Sequence, residues 1–225
     1  MQLPGGDRVD PRPAAILVGD APGLDFLNSV ATPVDTTVDW IDDGEGLLSW
    51  LGQTQLVPTD VLQSMRARAR PPELDKVAAQ ARQLREWFRG FVNEHRGRRL
   101  MLQDLDELEP LNRLLERDAR FSRIVLRRDV RPASLELEET RLWRSPEALL
   151  LPLGAALARL VVTEDFTYVK ACEGPACTLL FADHTRGRAR RWCSMAICGN
   201  RAKQAAHRQR LRVRERHGSR RGEVK

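Results

Sequence analysis

The chain has 225 residues, 42% of them apolar, enough for one domain or one and a half around a sizeable core. Its 37 Lys and Arg against 31 Asp and Glu give +6, but residues 184–225 alone hold 14 basic residues and two acids, so that segment carries +12 and residues 1–183 carry −6. No uninterrupted apolar run approaches the roughly 20 residues of a membrane-spanning helix, and "MQLPGGDRVDPRPAAILVGDAPG" lacks the basic start and long apolar stretch of a secretory signal; a cytoplasmic chain without a membrane partner is expected.

In chain order, the first 20 residues are rich in Pro and Gly and read as a loose tail, with "AAILV" a candidate edge strand. "LDFLNSVATP" places Leu24, Leu27 and Val30 at helical spacing, with Asp25 and Asn28 on another face. Two short helices follow, one across Leu47, Leu48, Trp50 and Leu51 and one starting after Thr59. A long amphipathic helix carries Leu74, Val77, Ala78, Ala81, Leu84, Phe88 and Phe91 at three-and-four spacing. "DLDELEPLNRLLERDA" is a helix broken or restarted near Pro110.

The texture then turns β-like. "RFSRIVLRRDVRPASLELEETRLW" predicts a hairpin in which Arg123, Arg127 and Arg128 face Glu136, Glu138 and Glu139. "SPEALLLPLGAALARLVV" predicts a buried helix with a serine N-cap, Pro146 at its first position and a kink at Pro152. The fold class is therefore α+β and predominantly helical: a helical N-terminal domain with a small β-hairpin, then a small C-terminal module.

That module holds all four cysteines, Cys172, Cys177, Cys193 and Cys198, spaced as Cys-x4-Cys, 15 residues, Cys-x4-Cys. Two close pairs suit one structural Zn2+, because each clamps two tetrahedral positions and a thiolate quartet leaves none open for water. Gly174 and Pro175 would turn the backbone around the ion, and Gly199 would free its amide to approach a thiolate. Two disulfides would use the same residues, but no oxidising compartment is indicated, and the Cys-x-x-Cys of thiol oxidoreductases is absent. His184, a fifth candidate ligand, reads as surface- or phosphate-facing.

"CEGPACTLLFADHTRGRARRWCSMAICGNRAKQAAHRQR" resembles the CGNR zinc finger, whose tetrapeptide stands here as Cys198, Gly199, Asn200 and Arg201. Thr185 takes a position where serine is expected and keeps the hydroxyl. Upstream, "LDFLNSV", "LLSWL" and the helical body resemble the ABATE domain of stress-induced transcription regulators. Composition and charge give a flexible tail over 1–20 and a basic tail over 215–225, and the resemblance implies an ABATE-like sensor or regulatory domain over 21–163 and a zinc finger over 164–214. It also implies binding to double-stranded DNA, a nucleoid-associated chain and no enzyme activity.

The residues supply a physical reason. Arg186, Arg188, Arg190 and Arg191 lie in the loop between the cysteine pairs, and guanidinium groups suit phosphates. Beyond Cys198 a helix would place Ala202, Ala205, Ala206 and Val213 on one face, between one cationic rail of Arg201, Arg208 and Arg212 and another of Lys203, Arg210 and Arg214. That face either packs on the zinc module, leaving the rails to phosphates, or enters a major groove. Asn200 and Arg201 are candidates for base readout, with Asn200 alternatively bracing the zinc loop; Trp192 reads as a core plug. Asp25, Asn28 and Trp50 are candidates for a small-molecule effector pocket or for structural bracing. A homodimer is expected, because one finger of this size buries little DNA surface. Two other classes remain: an RNA-associated or non-specific nucleic-acid-binding zinc protein, and an enzyme, against which stand the closed metal site and the absence of a nucleophile elbow, histidine pair, P-loop or dinucleotide fingerprint.

Overall fold

The computed structural model describes residues 12–32, 36–127 and 133–210. In chain order it contains α1 (Pro22–Leu27), the short pair β1 (Val30–Ala31) and β2 (Val38–Asp39), α2 (Gly44–Gln53), α3 (Thr59–Arg68) and α4 (Pro71–His95). A 3-10 turn over Leu102–Leu108 leads into α5 (Glu109–Leu115), then β3 (Arg120–Arg127) and β4 (Ser134–Arg141). A second 3-10 turn, Pro146–Leu149, opens α6 (Leu150–Thr163), followed by β5 (Val169–Ala171), β6 (Leu180–Ala182) and a π-helical turn over Met195–Gly199. Residues 200–210 continue as α7. The predominantly helical α+β class agrees with the sequence.

The long helix forms where its periodicity places it. α4 buries Leu74, Val77, Ala78, Ala81, Phe88 and Phe91, while Leu84 is only partly buried. The same face buries Arg85, 3% exposed, whose guanidinium donates to both carboxylate oxygens of Asp39 at 2.8 Å and to Ser29 Oγ at 3.0 Å. A cation survives there because every nearby acceptor is engaged.

α6 is the central apolar helix. Its window Pro146–Thr163 is 18 residues long, with a mean hydropathy of 1.4, which is long and apolar enough to cross a membrane by length and composition; 56% of it is buried within this fold. It packs on α1 through Gly23, where an added Cβ would lie 2.8 Å from the Ala156 carbonyl oxygen. Pro152, where a kink was expected, stands close to the junction of the 3-10 turn with α6. It is the third residue of α6, in the first turn, where a missing N–H leaves no bond unmade. Ser145 takes the N-cap position without a capping bond from its side chain, whereas Pro110 sits in the first turn of α5, where a restart was expected.

The expected loose tail is corrected for residues 12–20, which lie against the fold. Trp40 Nε1 donates to the Pro13 carbonyl at 2.7 Å, Ala15 N to Gln53 at 2.8 Å, and Ala182 N to the Gly19 carbonyl at 2.9 Å. Buried donors elsewhere needed acceptors, and this segment supplies them. "AAILV" forms no strand. The β3–β4 hairpin has the anticipated pairing: Arg123 opposite Glu138 with an ion pair of 2.7 Å, and Arg127 bridging to Glu136 at 2.8 Å. Glu139 pairs with Arg120 at 3.3 Å, and Arg128 lies outside the described residues.

Candidate metal centre and nucleic-acid interface

β5 and β6 form the antiparallel stem of the C-terminal module, with Val169 opposite Ala182 and Ala171 opposite Leu180. Cys172 leaves the end of β5, the "CEGPAC" turn brings Cys177 back, Cys193 precedes the π-helical turn that leads into α7, and Cys198 lies within it. The four sulfurs lie within 4.8 Å of one another, a cluster able to bind a metal. Cys172, Cys193 and Cys198 are buried and Cys177 is partly exposed.

The surroundings fit a thiolate-bound metal. Cys193 N donates to Cys172 Sγ at 3.2 Å and Gly174 N to the same sulfur at 3.4 Å; Arg201 Nη2 reaches Cys198 Sγ at 3.3 Å. A Cβ on Gly174 would come within 2.6 Å of Cys198 Sγ, so the knuckle closes only around glycine. Gly199, in contrast, does not lend its amide to a sulfur: it donates to the Ser194 carbonyl at 3.0 Å. Without a cation the sulfurs compete for protons. A hydrogen bond from Cys193 pulls the Cys177 thiol down to about 5, the same bond pushes Cys193 up, and burial pushes Cys198 up to about 11. Crowded sulfurs oppose one another's ionisation, and a divalent ion would offset that charge. His184 stands apart, bonded to Glu164 at 2.6 Å.

The arginine loop is knitted by Asp183, which is fully buried and accepts from Lys170 Nζ at 2.7 Å, Thr185 N at 3.0 Å, Thr185 Oγ1 at 2.6 Å and Arg190 N at 2.9 Å. Burial opposes its charge, but the bonds from Lys170 and Thr185 outweigh that and hold the carboxyl well below the usual range. Thr185 thus uses the hydroxyl that it shares with serine.

The four loop arginines separate by environment. Arg190 is tied into the fold: it donates to the Val18 and Trp192 carbonyls at 3.1 and 3.0 Å, contacts Asp20 and the Cys193 carbonyl, and lies 4.2 Å over the Phe181 ring. Arg188, at φ 46°, bonds the Asp183 carbonyl and covers Tyr168 at 4.5 Å. Arg191 pairs with Glu173 at 2.6 Å on the exposed surface, where such a pair is readily exchanged for another anion. Arg186 is exposed at the loop tip.

In α7, Lys203, Arg208 and Arg210 are exposed, as is Asn200 at its start. Arg201 turns back instead, bonding the Ile197 carbonyl at 2.7 Å besides Cys198. Ala202 and Ala205 line a groove of about 480 Å³ with Gly174, Pro175 and Ala176, and Arg201 and Arg208 border it. The alanine face therefore looks across at the cysteine knuckle without closing on it. Arg212, Val213, Arg214 and the tail over 215–225 lie outside the described residues.

The expected effector residues have other occupations. Asn28, 1% exposed, donates from Nδ2 to the Leu180 carbonyl and accepts the Leu180 N–H on Oδ1, both at 2.8 Å, acting as a strand partner for β6. Trp50 is a core side chain, 1% exposed, packed on Phe26 with ring centroids 5.9 Å apart. Asp25 accepts from Gly19 N at 2.8 Å, and burial raises its carboxyl to about 6. Asn28 takes the bracing role that was the alternative to a ligand contact, while sequence reasoning missed its partner Leu180 and the roles of Lys170 and Asp20, whose partners leave no local pattern.

Two family models match. The CGNR zinc finger matches residues 168–211, and ABATE, described as Putative stress-induced transcription regulator, matches residues 20–164. No curated protein matches the chain.

Proposed function

The chain belongs to the ABATE family, whose model covers more than half of it, and ends in a CGNR zinc finger; from that premise we propose that it is a transcription regulator that binds double-stranded DNA. In this reading Cys172, Cys177, Cys193 and Cys198 hold one structural Zn2+, with the ABATE domain over 21–163 and the finger over 164–214. The zinc is a brace without chemistry of its own, since a thiolate quartet leaves no position for water or substrate; neither matched family is an enzyme family.

The observation that carries the reading is the groove beside Cys198, with the cysteine knuckle on one side and the arginine-bordered start of α7 on the other. Fixing the knuckle fixes that helix. Lys203, Arg208 and Arg210, with Arg186 from the loop, then grip phosphates, and Arg191 joins them by exchanging Glu173 for a phosphate. Arg188 and Arg190 keep the loop in shape. Asn200, exposed at the head of α7, is the residue we assign to base contact, and Arg201 orients the helix through Ile197 and Cys198. Arg212 extends the cationic rail in the sequence.

Control by a small molecule is assigned to the cleft of about 380 Å³ between α3 and the strand exit, lined by Val61, Met65 and Trp143 with Arg68 and Arg144 at its rim. Such a chain acts in the cytoplasm, on the nucleoid.

Selection from a random duplex library, with and without a zinc chelator and with structured RNA as a parallel pool, tests the reading. A duplex motif that vanishes on chelation is expected. Enrichment of RNA alone, or of nothing, would overturn it in favour of an RNA-associated or non-specific polyanion binder.

A further inference from the structure

The β3–β4 hairpin is not accounted for by the protein's own core. Its strands pair only with each other among the described residues, and a lone two-stranded hairpin is marginal in water unless a third strand or a packed face supports it. Strand alternation sorts its side chains into two unlike faces. On one, Arg123 stands opposite Glu138 and Val125 opposite Glu136; on the other, Ile124 stands opposite Leu137 and Leu126 opposite Leu135. Ion pairs close the first. The second is open, with Ile124, Leu126, Leu135 and Leu137 exposed to 73%, 49%, 74% and 68%.

Area, charge and symmetry together select what covers it. Four aliphatic side chains at those exposures present several hundred Å² of apolar surface, the size at which patches mark interaction sites; doubled, this approaches the roughly 1,000 Å² that a specific interface requires. The hairpin's charges favour a copy of itself over a polyanion. β3 carries Arg120, Arg123 and Arg127, β4 answers with Glu136, Glu138 and Glu139, and Arg141 is held by Asp118 at 2.5 Å. Those pairs leave the hairpin no net pull on a polyanion, and Arg123, Arg127, Glu136 and Glu138 lie on the face turned away from the partner, so two aliphatic faces can meet without burying them. The two aliphatic pairs form a compact quartet with no charge among them, so the face is self-complementary, as a closed isologous contact requires.

We propose that the Ile124, Leu126, Leu135 and Leu137 face of the hairpin is the interface through which two copies of this chain dimerise. The hairpin thereby becomes the lower half of a two-layered sheet with a dry centre. The inference specifies the surface for the dimer that a single small finger calls for, yet it stands on the hairpin alone. Because the contact is apolar and locally neutral, and the like-charged fingers repel, added salt strengthens the dimer while it weakens any grip on phosphates.

Sedimentation velocity on the full chain with zinc, without nucleic acid, tests this. The expected species has twice the 25.5 kDa chain mass and persists at high salt. Leu137→Arg and Ile124→Arg, with unchanged circular dichroism and zinc content, should sediment as monomers, whereas Val162→Arg, on the exposed side of α6, should not. Hydrogen exchange on the unaltered chain gives a test that needs no variant: protection of 120–127 and 134–141 should rise with protein concentration. A monomer at every concentration, a dimer indifferent to both hairpin variants, or a monomeric chain that binds lipid vesicles through this face would overturn the proposal. None of these outcomes bears on DNA binding.

Discussion

Asn28→Ala removes one side chain and leaves two buried backbone groups of β6 without partners. The Leu180 N–H and carbonyl are each bonded at 2.8 Å to the Asn28 amide, and Leu180 is 3% exposed, so water does not replace what is lost. A buried polar group left unmade costs about 1–3 kcal/mol, which for two groups gives roughly 2–6 kcal/mol. In a chain of this size that lowers Tm by about 5–15 °C. The loss should be read by thermal and denaturant unfolding of the zinc-loaded chain, followed by circular dichroism and by a colorimetric zinc indicator, because Asn28 joins the helical body to the strand that enters the finger. Asn28→Asp sharpens the test. Its carboxylate still accepts from Leu180 N but turns a second oxygen on the Leu180 carbonyl, so it should be about as unstable at neutral pH and recover partly in acid, where the protonated group donates. A change below about 0.5 kcal/mol for Asn28→Ala would refute the bracing role and return Asn28 to the candidates for ligand contact.

Gly174→Ala drives a Cβ to 2.6 Å from Cys198 Sγ and should weaken zinc binding at least about tenfold in chelator competition. Gly90→Ala, with nothing within 4 Å of the new carbon, should leave zinc untouched and stabilise α4 by about 0.5–1 kcal/mol. Asp25 titrates at about 6 when folded against 3.8 ordinarily. The folded state therefore holds the extra proton between those values, and stability falls as pH rises through that window, by up to about 3 kcal/mol before discounting its partial exposure. Asp25→Asn, which keeps an oxygen for Gly19, should raise Tm near pH 8 and not near pH 4; equal gains at both would contradict this. Arg190→Ala should cost stability and leave the salt dependence of DNA binding alone. Lys203→Ala should do the reverse, reducing the salt slope by about one.

Legibility in the sequence followed chain separation. The cysteine quartet, α4 and the hairpin register all announce themselves within short windows, through metal-ligand spacing, a 3.6-residue period and alternation of Arg against Glu. What could not be read was the partner of a polar side chain far along the chain. Asn28 and Leu180 are 152 residues apart, Arg190 and Val18 are 172, and neither pairing leaves a local pattern. For that reason Arg190 resembled the other arginines of its loop, although its guanidinium is surrounded by carbonyls. Composition misled twice. Pro and Gly made residues 12–20 look loose when Trp40 and Ala182 needed their carbonyls, and Pro152 read as a mid-helix position because the 3-10 turn that puts it in the first turn of α6 is not visible beforehand.

The most direct test of the central claim is the salt dependence of duplex DNA binding by the zinc-loaded chain, measured beside the chelated chain and a Lys203→Ala/Arg208→Ala/Arg210→Ala variant. The account predicts tight binding at low salt, a linear fall of log K with log salt, a slope shallower by about three in the variant, and loss of binding on chelation while the helical body stays folded. Binding that survives zinc removal unchanged, or a variant slope equal to that of the unaltered chain, would contradict it.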